Sequence, residues 1–428
     1  MKSRGEPNYR IPIDGSSSIS PLLLHEEQES QFGDGGHTRI RASFTGSVFT
    51  LSTTIIGAGI MALPATMKIL GLGLGIALIV LVAVLTERSL EMLLRYSKAG
   101  KEVKSYGGVM KDAFGNGGRT LLQICVLLNN VGVLVVYMII IGTTSANGIH
   151  KRGVLEEWFG SQWWNGRTAV FLVMTFAVFS PLACLKHIDS LKFSSAVAVA
   201  LAVVFLVITA GIAAFKLING SVSMPRLLPN VTSITSFWNL FTAVPVLVTA
   251  FICHFNGSSA VHTIENELED PTKIRKVVQA SLALCSFVYI MISFFGFLLF
   301  GDSTLDDVLA NFNTDLGIPY SSVLNDVIRV SYALHLMLVF PVLFYPLRSN
   351  IDELLFPSAR DLALDTRRFI LLTIALICMI FLGADFVPSI WDAFQFTGAT
   401  SAVCLGFIFP AAIALRFSAS LTNFLQSR

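Results

Sequence analysis

Long apolar runs are the feature of this sequence that most limits how the chain can fold. Ten runs reach or approach the roughly 20 residues that a helix needs to cross the hydrocarbon core of a membrane. The composition agrees, because 54% of the residues are hydrophobic and only 14% are charged, too few polar groups for the surface of a water-soluble protein. The sequence therefore predicts an all-α polytopic membrane protein embedded in the lipid bilayer.

We number the predicted spans 1 to 10 in chain order. They cover residues 45–68, 72–95, 119–144, 168–185, 191–215, 236–263, 275–300, 322–346, 367–386 and 388–415. If the N-terminus is cytosolic, most of the 30 Lys and Arg residues lie in cytosolic tails and loops. Basic residues are usually concentrated on the cytosolic side of membrane proteins. This asymmetry predicts that both termini are cytosolic, which requires an even number of spans.

The predicted domain organisation is simple. Residues 1–43 are rich in Ser, Gly, Glu and Pro and read as a disordered cytosolic tail. Residues 44–416 form the membrane domain, and 417–428 form a short cytosolic tail. Ten spans divide into two groups of five, and an odd number per half means that homologous halves would be inverted in the membrane.

Two spans are poorly suited to continuous helices. Span 1 contains "TTIIGAGIMALP" (53–64), and span 6, the first span of the second half, contains "FICHFNGSS" (251–259). Interruptions at corresponding positions of two halves are the best sequence indication of a transporter's substrate site. A pair of small residues alone would more simply be a helix-packing contact, and the matching break in span 6 is what favours a site.

A broken helix leaves backbone groups without intrahelical partners, which lipid tolerates only beside a cavity or a ligand. The half-helix after Gly59 would offer N–H groups and a positive dipole end to a carboxylate, and the carbonyls before the break would face an ammonium group or a cation. Gly57 and Gly59 have no side chains to block the approach.

Other polar residues of the spans have more than one interpretation each. His254 is a proton carrier, a simple hydrogen-bond donor to the backbone or a pH sensor. Asn130 and Tyr137 share one face of span 3 and either line a cavity or pack between helices. Arg329 follows Asp326 by three residues and is interpreted first as half of a local ion pair near the lumenal side and second as a gate.

No motif for enzyme chemistry occurs in the sequence. The six cysteines form no CxxC or Cys/His pattern, so neither a metal site nor a disulfide framework is predicted. No phosphate-binding loop, nucleotide fingerprint, HExxH or nucleophile elbow is present. We therefore expect no cofactor, no nucleic-acid partner and no enzymatic activity, and any uphill transport would be driven by an ion gradient.

Four segments in order resemble a known family. "TIIGAGIMALP" resembles the first helix of the amino acid/auxin permease superfamily, and "FICH" with "ENELEDPTKIRK" resembles its sixth helix and the following turn. "RVSYALHLMLVFPVLFYPLR" (329–348) is similar to its eighth helix and "FTGATSA" (396–402) to its tenth. The branch most similar is that of the plant vacuolar amino acid transporters, which are related to the sodium-coupled neutral amino acid transporters of animals.

The resemblance implies an inverted five-plus-five transporter fold that moves amino acids by alternating access. It implies substrate contacts at the two breaks, which are listed here as Gly57, Ala58, Gly59, Ile60, Cys253, His254 and Phe255. Asn130, Tyr137, Tyr332 and Phe396 are the candidates for side-chain selectivity. The resemblance implies an eleventh helix as well, whereas the residues after span 10 are too short and too polar for one.

Two departures from the sodium-coupled relatives bear on the driving ion. This chain has Thr53 where they have Asn in the first helix, and Val339 where they have a hydroxyl in the eighth. Sodium needs several hard oxygen ligands, so we expect proton coupling, with His254 or His335 as carrier, and keep sodium as the alternative.

Two rival functions and the location complete the expectations. An amino acid sensor without net transport would need a partner-binding N-terminal tail, and a passive channel would need a continuous polar stripe, which the sequence lacks.

The family branch favours the vacuolar membrane over the plasma membrane or the endoplasmic reticulum. "SPLLLHEE" (20–27) resembles a dileucine sorting signal and would be read by a sorting adaptor.

Overall fold

The computed structural model describes residues 43–97, 105–145, 153–160, 162–184, 192–254, 261, 264–265 and 268–426. The predicted N-terminal tail lies, apart from Ser43, outside the described residues. All long regular elements of the described part are helices, which confirms the predicted all-α architecture.

The helices follow the predicted spans in order. They are α1 (Phe44–Ile55), α2 (Gly59–Ser97), α3 (Tyr106–Ser145), α4 (Val154–Phe159), α5 (Arg167–Ala183), α6 (Lys192–Ile218), α7 (Ile234–Phe251), α8 (Ile274–Phe300), α9 (Ser321–Leu355), α10 (Thr366–Phe386), α11 (Ile390–Thr397) and α12 (Phe409–Gln426). The π-helical segments Gly398–Ala402 and Cys404–Ile408 join α11 to α12, so that span 10 is one helix with two widened turns. Its last part continues to Gln426, beyond the residue at which we expected the membrane domain to end.

Eight helices of the described part are long and apolar enough to cross a membrane, and α5 is apolar but shorter. The protein is therefore a multi-pass membrane protein. This number is smaller than ten because α2 contains the second part of span 1 together with span 2, and because α5, which corresponds to span 4, falls below the required length.

A sharp turn at Gly71 separates spans 1 and 2 within α2. Gly71 has a φ of +74°, and the Met67 side chain lies against Gly75, although residues eight apart in a continuous helix are about 12 Å apart along its axis. A side chain at Gly71 would collide with the backbone of Leu228. Glycine therefore provides both the left-handed backbone and the space for the close approach.

Spans 1 and 6 are both interrupted, as the sequence predicted. Helix α1 ends at Ile55, Ile56 is extended (φ −73°, ψ 100°), and the helix resumes at Gly59. Helix α7 ends at Phe251, and Ile252 is likewise extended (φ −70°, ψ 121°). The two breaks meet, because a Cβ atom on Gly59 would lie 2.9 Å from the Cβ atom of Ala250.

Candidate substrate site

A small cavity of about 40 Å³ lies where the two breaks meet. This volume holds a few water molecules. The lining residues come from spans 1, 3, 6, 8 and 10 and are Thr54, Ile55, Gly57, Ala58, Gly59, Asn129, Asn130, Val133, Tyr137, Thr249, Ala250, Ile252, Leu343 and Phe394. Every lining side chain is uncharged at neutral pH, so polarity here comes from amide, hydroxyl and backbone groups.

The span 1 break turns backbone groups toward the cavity. The Ile56 N–H still donates to the Ser52 carbonyl at 2.9 Å, which closes the last turn of α1. The N–H groups of Ile60 and Met61 donate to the carbonyls of Gly57 and Ala58 at 3.3 and 3.0 Å. These short-range bonds tighten the first turn of α2, as is common at helix ends.

Three tyrosine hydroxyls bind the backbone of the breaks. Tyr332 of span 8 donates to the Gly57 carbonyl at 2.8 Å. The Tyr289 hydroxyl of span 7 lies 2.7 Å from the Ile55 carbonyl and 2.8 Å from the Ala250 carbonyl. The Tyr137 hydroxyl of span 3 is hydrogen-bonded to the backbone of Ala58.

These hydrogen bonds differ from what the sequence led us to expect for the backbone at the span 1 break. We expected the backbone at the break to be unpaired and available to a ligand, whereas the carbonyls of Ile55 and Gly57 accept hydrogen bonds from tyrosines. Buried carbonyls rarely stay unpaired, and aromatic hydroxyls from neighbouring spans fill that need. A ligand would have to share or replace these partners.

Among the side chains that line the cavity, the buried polar atoms without a partner in the described residues belong to span 3. Asn130 is 1% exposed, and neither polar atom of its amide has a hydrogen-bond partner among the described residues. The amide oxygen of Asn129, which is 2% exposed, also has none there. Buried amides are nearly always satisfied by protein, water or ligand, so these two mark the part of the cavity that is suited to a polar molecule.

The structure brings together five of the predicted contact residues and separates the others. Gly57, Ala58, Gly59, Asn130 and Tyr137 line the cavity. Ile60 and Cys253 are buried in the core instead, and Phe255 lies outside the described residues. Phe396 is 65% exposed and is not part of the lining.

His254 lies in a contact between spans rather than at the cavity. Its Nε2 atom is 3.1 Å from the Ser89 hydroxyl, which donates to the carbonyl of Gly406. Because the only hydroxyl proton of Ser89 goes to that carbonyl, the Nε2 atom of His254 is the donor to Ser89. The side chain thus connects the span 6 break to span 2 and span 10.

The other two ion-coupling candidates also point away from the cavity. The Thr53 hydroxyl donates to the Thr50 carbonyl of its own helix at 2.9 Å, and its neighbour Thr54 takes the place on the cavity wall. His335 is 2% exposed, and its Nδ1 atom lies 2.7 Å from the carbonyl oxygen of Ala198 in span 5.

Sequence reasoning missed several residues at the site. Thr249 and Phe394 of the lining are single residues within apolar runs and give no signal of their own. Tyr289, which contacts the carbonyls at the breaks without belonging to the lining, gives none either. Thr249 and Asn129 could have been found from their positions, since Thr249 lies about one turn before the break in span 6 and Asn129 is adjacent to Asn130.

Arg329 connects span 8 to the short helix α4. Its guanidinium binds Glu157 of α4 at 2.9 Å and the Thr144 carbonyl at 3.2 Å. Asp326 accepts a 2.9 Å hydrogen bond from the indole of Trp158 and also attracts Arg329 electrostatically. Glu157 is the partner of Arg329 that the sequence spacing did not indicate.

Metal chemistry finds no support in the described part of the chain, where no group of three or more His, Cys, Asp or Glu side chains could hold an ion. The cavity has no nucleophile paired with a base and no acid in its lining. The groups that the lining offers are hydrogen-bonding groups.

Discontinuous membrane helices whose breaks meet at a cavity are typical of membrane transporters. Residues 41–425 match the family described as transmembrane amino acid transporter protein. The chain belongs to this family, which confirms the resemblance seen in the sequence. It is a member of a class of transporters and not an enzyme.

Known members of the family are similar along most of the chain. The chain is 71% identical to the amino acid transporter AVT6A of Arabidopsis thaliana, over 88% of its own length and 81% of the relative. Identity to AVT6B of the same plant is 62%, over 95% of this chain and 89% of the relative. The sodium-coupled neutral amino acid symporter 2 of Danio rerio is 26% identical, over 92% and 78% of the two chains.

Proposed function

We propose that this protein is a secondary active transporter that moves amino acids across a membrane by alternating access, coupled to protons. The observation that carries the proposal is the cavity where the two helix breaks meet. On its wall lies the buried amide of Asn130, which has no hydrogen-bond partner among the described residues. A zwitterion suits this cavity, because helix ends offer both N–H and carbonyl groups.

Alternating access would rock a bundle of spans 1, 2, 6 and 7 against a scaffold of spans 3–5 and 8–10. This division comes from the resemblance to an inverted five-plus-five fold. The tyrosine bonds are compatible with it, because Tyr289 joins spans 7, 1 and 6 within the bundle. Tyr332 and Tyr137 join the scaffold to the bundle at Gly57 and Ala58, so these are bonds that a rocking motion must break.

His335 is the better supported of the two proton carriers. A carbonyl can only accept, so the Nδ1 atom of His335 donates to Ala198, and Nε2 is the basic nitrogen of the neutral ring. That nitrogen is buried without a partner among the described residues. Its ring is 5.0 Å from the ring of Tyr332, which touches the break in span 1.

The sodium alternative has less support from the side chains present. The Thr53 hydroxyl is engaged by its own helix, and Val339 has no oxygen to offer. Sodium coupling would then need ligands other than these two side chains.

The test is uptake of a panel of labelled amino acids into proteoliposomes that contain the full chain, with proton and sodium gradients imposed separately. We expect accumulation with the proton gradient and none with sodium alone. His335→Gln should keep exchange of internal for external amino acid and lose accumulation against a gradient, whereas Gly107→Ala, in an open position, should behave as the wild type. Accumulation with sodium alone would overturn proton coupling. Binding without any uptake would favour an amino acid sensor.

We propose the vacuolar membrane as the location, with both termini in the cytosol and a sorting adaptor at the N-terminal tail. The Lys and Arg distribution, the family branch and the motif "SPLLLHEE" support this reading. Leu23→Ala with Leu24→Ala should move a fluorescent fusion from the vacuolar membrane to the plasma membrane or the endoplasmic reticulum. An unchanged location would remove the adaptor from the proposal.

A further inference from the structure

Helix α4 carries two aromatic rings that the rest of the described chain leaves largely uncovered. Trp158 is 55% exposed and Phe159 is 58% exposed, whereas Val154 at the start of the same short helix is buried. The ring of Trp164 contacts the ring of Phe159 edge to face, with 5.8 Å between the centroids. We call Trp158 and Phe159 together the aromatic surface of α4.

Two consecutive residues hold α4 against span 8. The indole N–H of Trp158 donates to the Asp326 carboxylate at 2.9 Å, and the Glu157 carboxylate binds the guanidinium of Arg329 at 2.9 Å. Because the indole N–H is already engaged, the part of Trp158 that remains exposed is its apolar ring.

The partners of α4 lie well inside span 8 rather than at its end. Helix α9 begins at Ser321, so a rise of 1.5 Å per residue places Asp326 about 8 Å and Arg329 about 12 Å along its axis. The same part of α9 exposes apolar side chains at intervals of three or four residues, which are Val323, Val327, Val330 and Leu334. An exposed apolar face of a membrane-spanning helix lies against lipid, and we call these four residues the lipid-facing stripe.

The lipid-facing stripe passes beside the residue that binds Trp158. Val323 comes three residues before Asp326 and Val330 comes four residues after it, so the three side chains share one side of α9. The aromatic surface of α4, which is held at Asp326, is therefore continuous with a surface that faces lipid. This continuity favours the membrane as the partner of the aromatic surface.

The charges of span 8 need a cover at this depth, because a charged side chain in contact with lipid tails is costly. The Arg329 side chain is only 3% exposed, since Glu157 and the Thr144 carbonyl bind its guanidinium. Helix α4 thus supplies polar partners to Asp326 and Arg329 and leaves apolar rings at the surface.

The length of α4 limits how deep it can lie. Most backbone groups of a six-residue helix have no intrahelical partner, and lipid tails cannot satisfy them. The headgroup region can, and it is also where tryptophan is enriched in membrane proteins, because its ring is apolar and its N–H is polar.

We propose that the aromatic surface of α4 contacts the headgroup region of the membrane, so that α4 lies in the interface as a cover for Asp326 and Arg329. The inference assigns a lipid-binding surface outside the cavity and does not depend on which solute the protein carries.

Fluorescence of Trp158 tests the proposal with quenchers at known depths. The protein is the full chain with Trp163→Phe, Trp164→Phe, Trp238→Phe and Trp391→Phe, which leaves Trp158 as the only one of its five tryptophans. It is reconstituted into phosphatidylcholine vesicles in which a fixed fraction of the lipid carries a nitroxide, either on the headgroup or at the end of an acyl chain. Iodide on both sides of the vesicles reports contact with water.

We expect the headgroup nitroxide to quench Trp158 at least about twofold more strongly than the chain-end nitroxide, because an interfacial ring lies nearer to the headgroups. Iodide should quench Trp158 at least about twofold more weakly than it quenches N-acetyltryptophanamide in the same buffer, because lipid covers the ring.

Three results would overturn the proposal. Strong quenching by iodide and none by either lipid would place α4 in water, and stronger quenching by the chain-end nitroxide would place it among the lipid tails. No quenching by any of the three would mean that a protein surface, such as that of a second copy, covers the rings.

A simpler comparison decides if the four replacements together prevent folding. Trp158→Phe in the otherwise unchanged chain should lower the fraction of total emission that the headgroup nitroxide quenches. Trp391→Phe removes a partly buried tryptophan that packs against the core and should not lower this fraction. An equal fraction in the wild type and in Trp158→Phe would show that Trp158 does not face the headgroups.

Discussion

The hydroxyl of Tyr332 donates a 2.8 Å hydrogen bond to the carbonyl oxygen of Gly57. This bond connects span 8 to the interruption of span 1, and both groups are largely shielded from water. It fixes the extended residues of the break against a helix that belongs to the other part of the proposed moving assembly.

Removing this bond should loosen the break without changing the core. Tyr332→Phe removes the shorter of the two hydrogen bonds that the Gly57 carbonyl accepts and leaves the 3.3 Å bond from the Ile60 N–H, and a typical net loss is about 1 kcal/mol. We expect faster backbone hydrogen exchange at residues 56–61 and unchanged exchange in α10, measured by mass spectrometry on the protein in micelles. Equal exchange at the break in both proteins would mean that the bond does not hold it.

Gly59 should not tolerate even one methyl group. A Cβ atom there would lie 2.9 Å from the Cβ atom and 3.0 Å from the Cα atom of Ala250, so Gly59→Ala must push the two breaks apart at a cost of about 1–3 kcal/mol. Gly107→Ala is the control, because a Cβ atom at Gly107 meets nothing within 4 Å. The thermal unfolding temperature and the rate of amino acid uptake should both fall for Gly59→Ala and stay at wild-type values for Gly107→Ala. Equal values for the two variants would show that the contact between Gly59 and Ala250 is not tight.

The course of the chain through the membrane was predictable from the sequence because lipid forces backbone groups to pair within each helix. Apolar runs therefore correspond to helices, and the breaks in spans 1 and 6 follow from Gly57, Gly59 and the polar residues after Phe251. The turn at Gly71 falls in the short gap between the predicted spans 1 and 2.

The contacts across the site were less predictable, because they depend on how each helix is rotated about its axis. Thr53 and Thr54 are equivalent in the sequence, yet only Thr54 lines the cavity. His254 follows the span 6 break but faces Ser89, while Thr249 takes the position on the wall. Tyr289 has no sequence pattern at all, and its role comes entirely from packing between spans 1, 6 and 7.

Replacing Asn130 should lower transport without lowering the stability of the folded protein. Its amide is buried and has no partner among the described residues, so replacing it with an apolar group of similar size removes a desolvation cost and breaks no bond. Asn130→Leu should unfold at the same temperature as the wild type or higher, and its uptake of amino acids should fall at least about tenfold. A variant that loses both together would assign Asn130 to the folded framework instead of the site.

Glu157 should make the stability of the protein depend on pH through its contact with Arg329. Burial raises the pKa of this carboxyl above its usual value, and the guanidinium of Arg329 at 2.9 Å offsets only part of that effect. The folded state therefore holds the proton more firmly than the unfolded chain, so stability from this group increases as the pH falls from neutrality toward the usual pKa of glutamate and is lost as the pH rises. Glu157→Gln removes this dependence, whereas Glu156→Gln on the same short helix keeps it. The thermal unfolding temperature is measured at a series of pH values from 7 to about 5. The unfolding temperature of the wild type should rise relative to that of Glu157→Gln as the pH is lowered. If the two proteins show the same dependence on pH, the attraction of Arg329 compensates the burial of Glu157 completely.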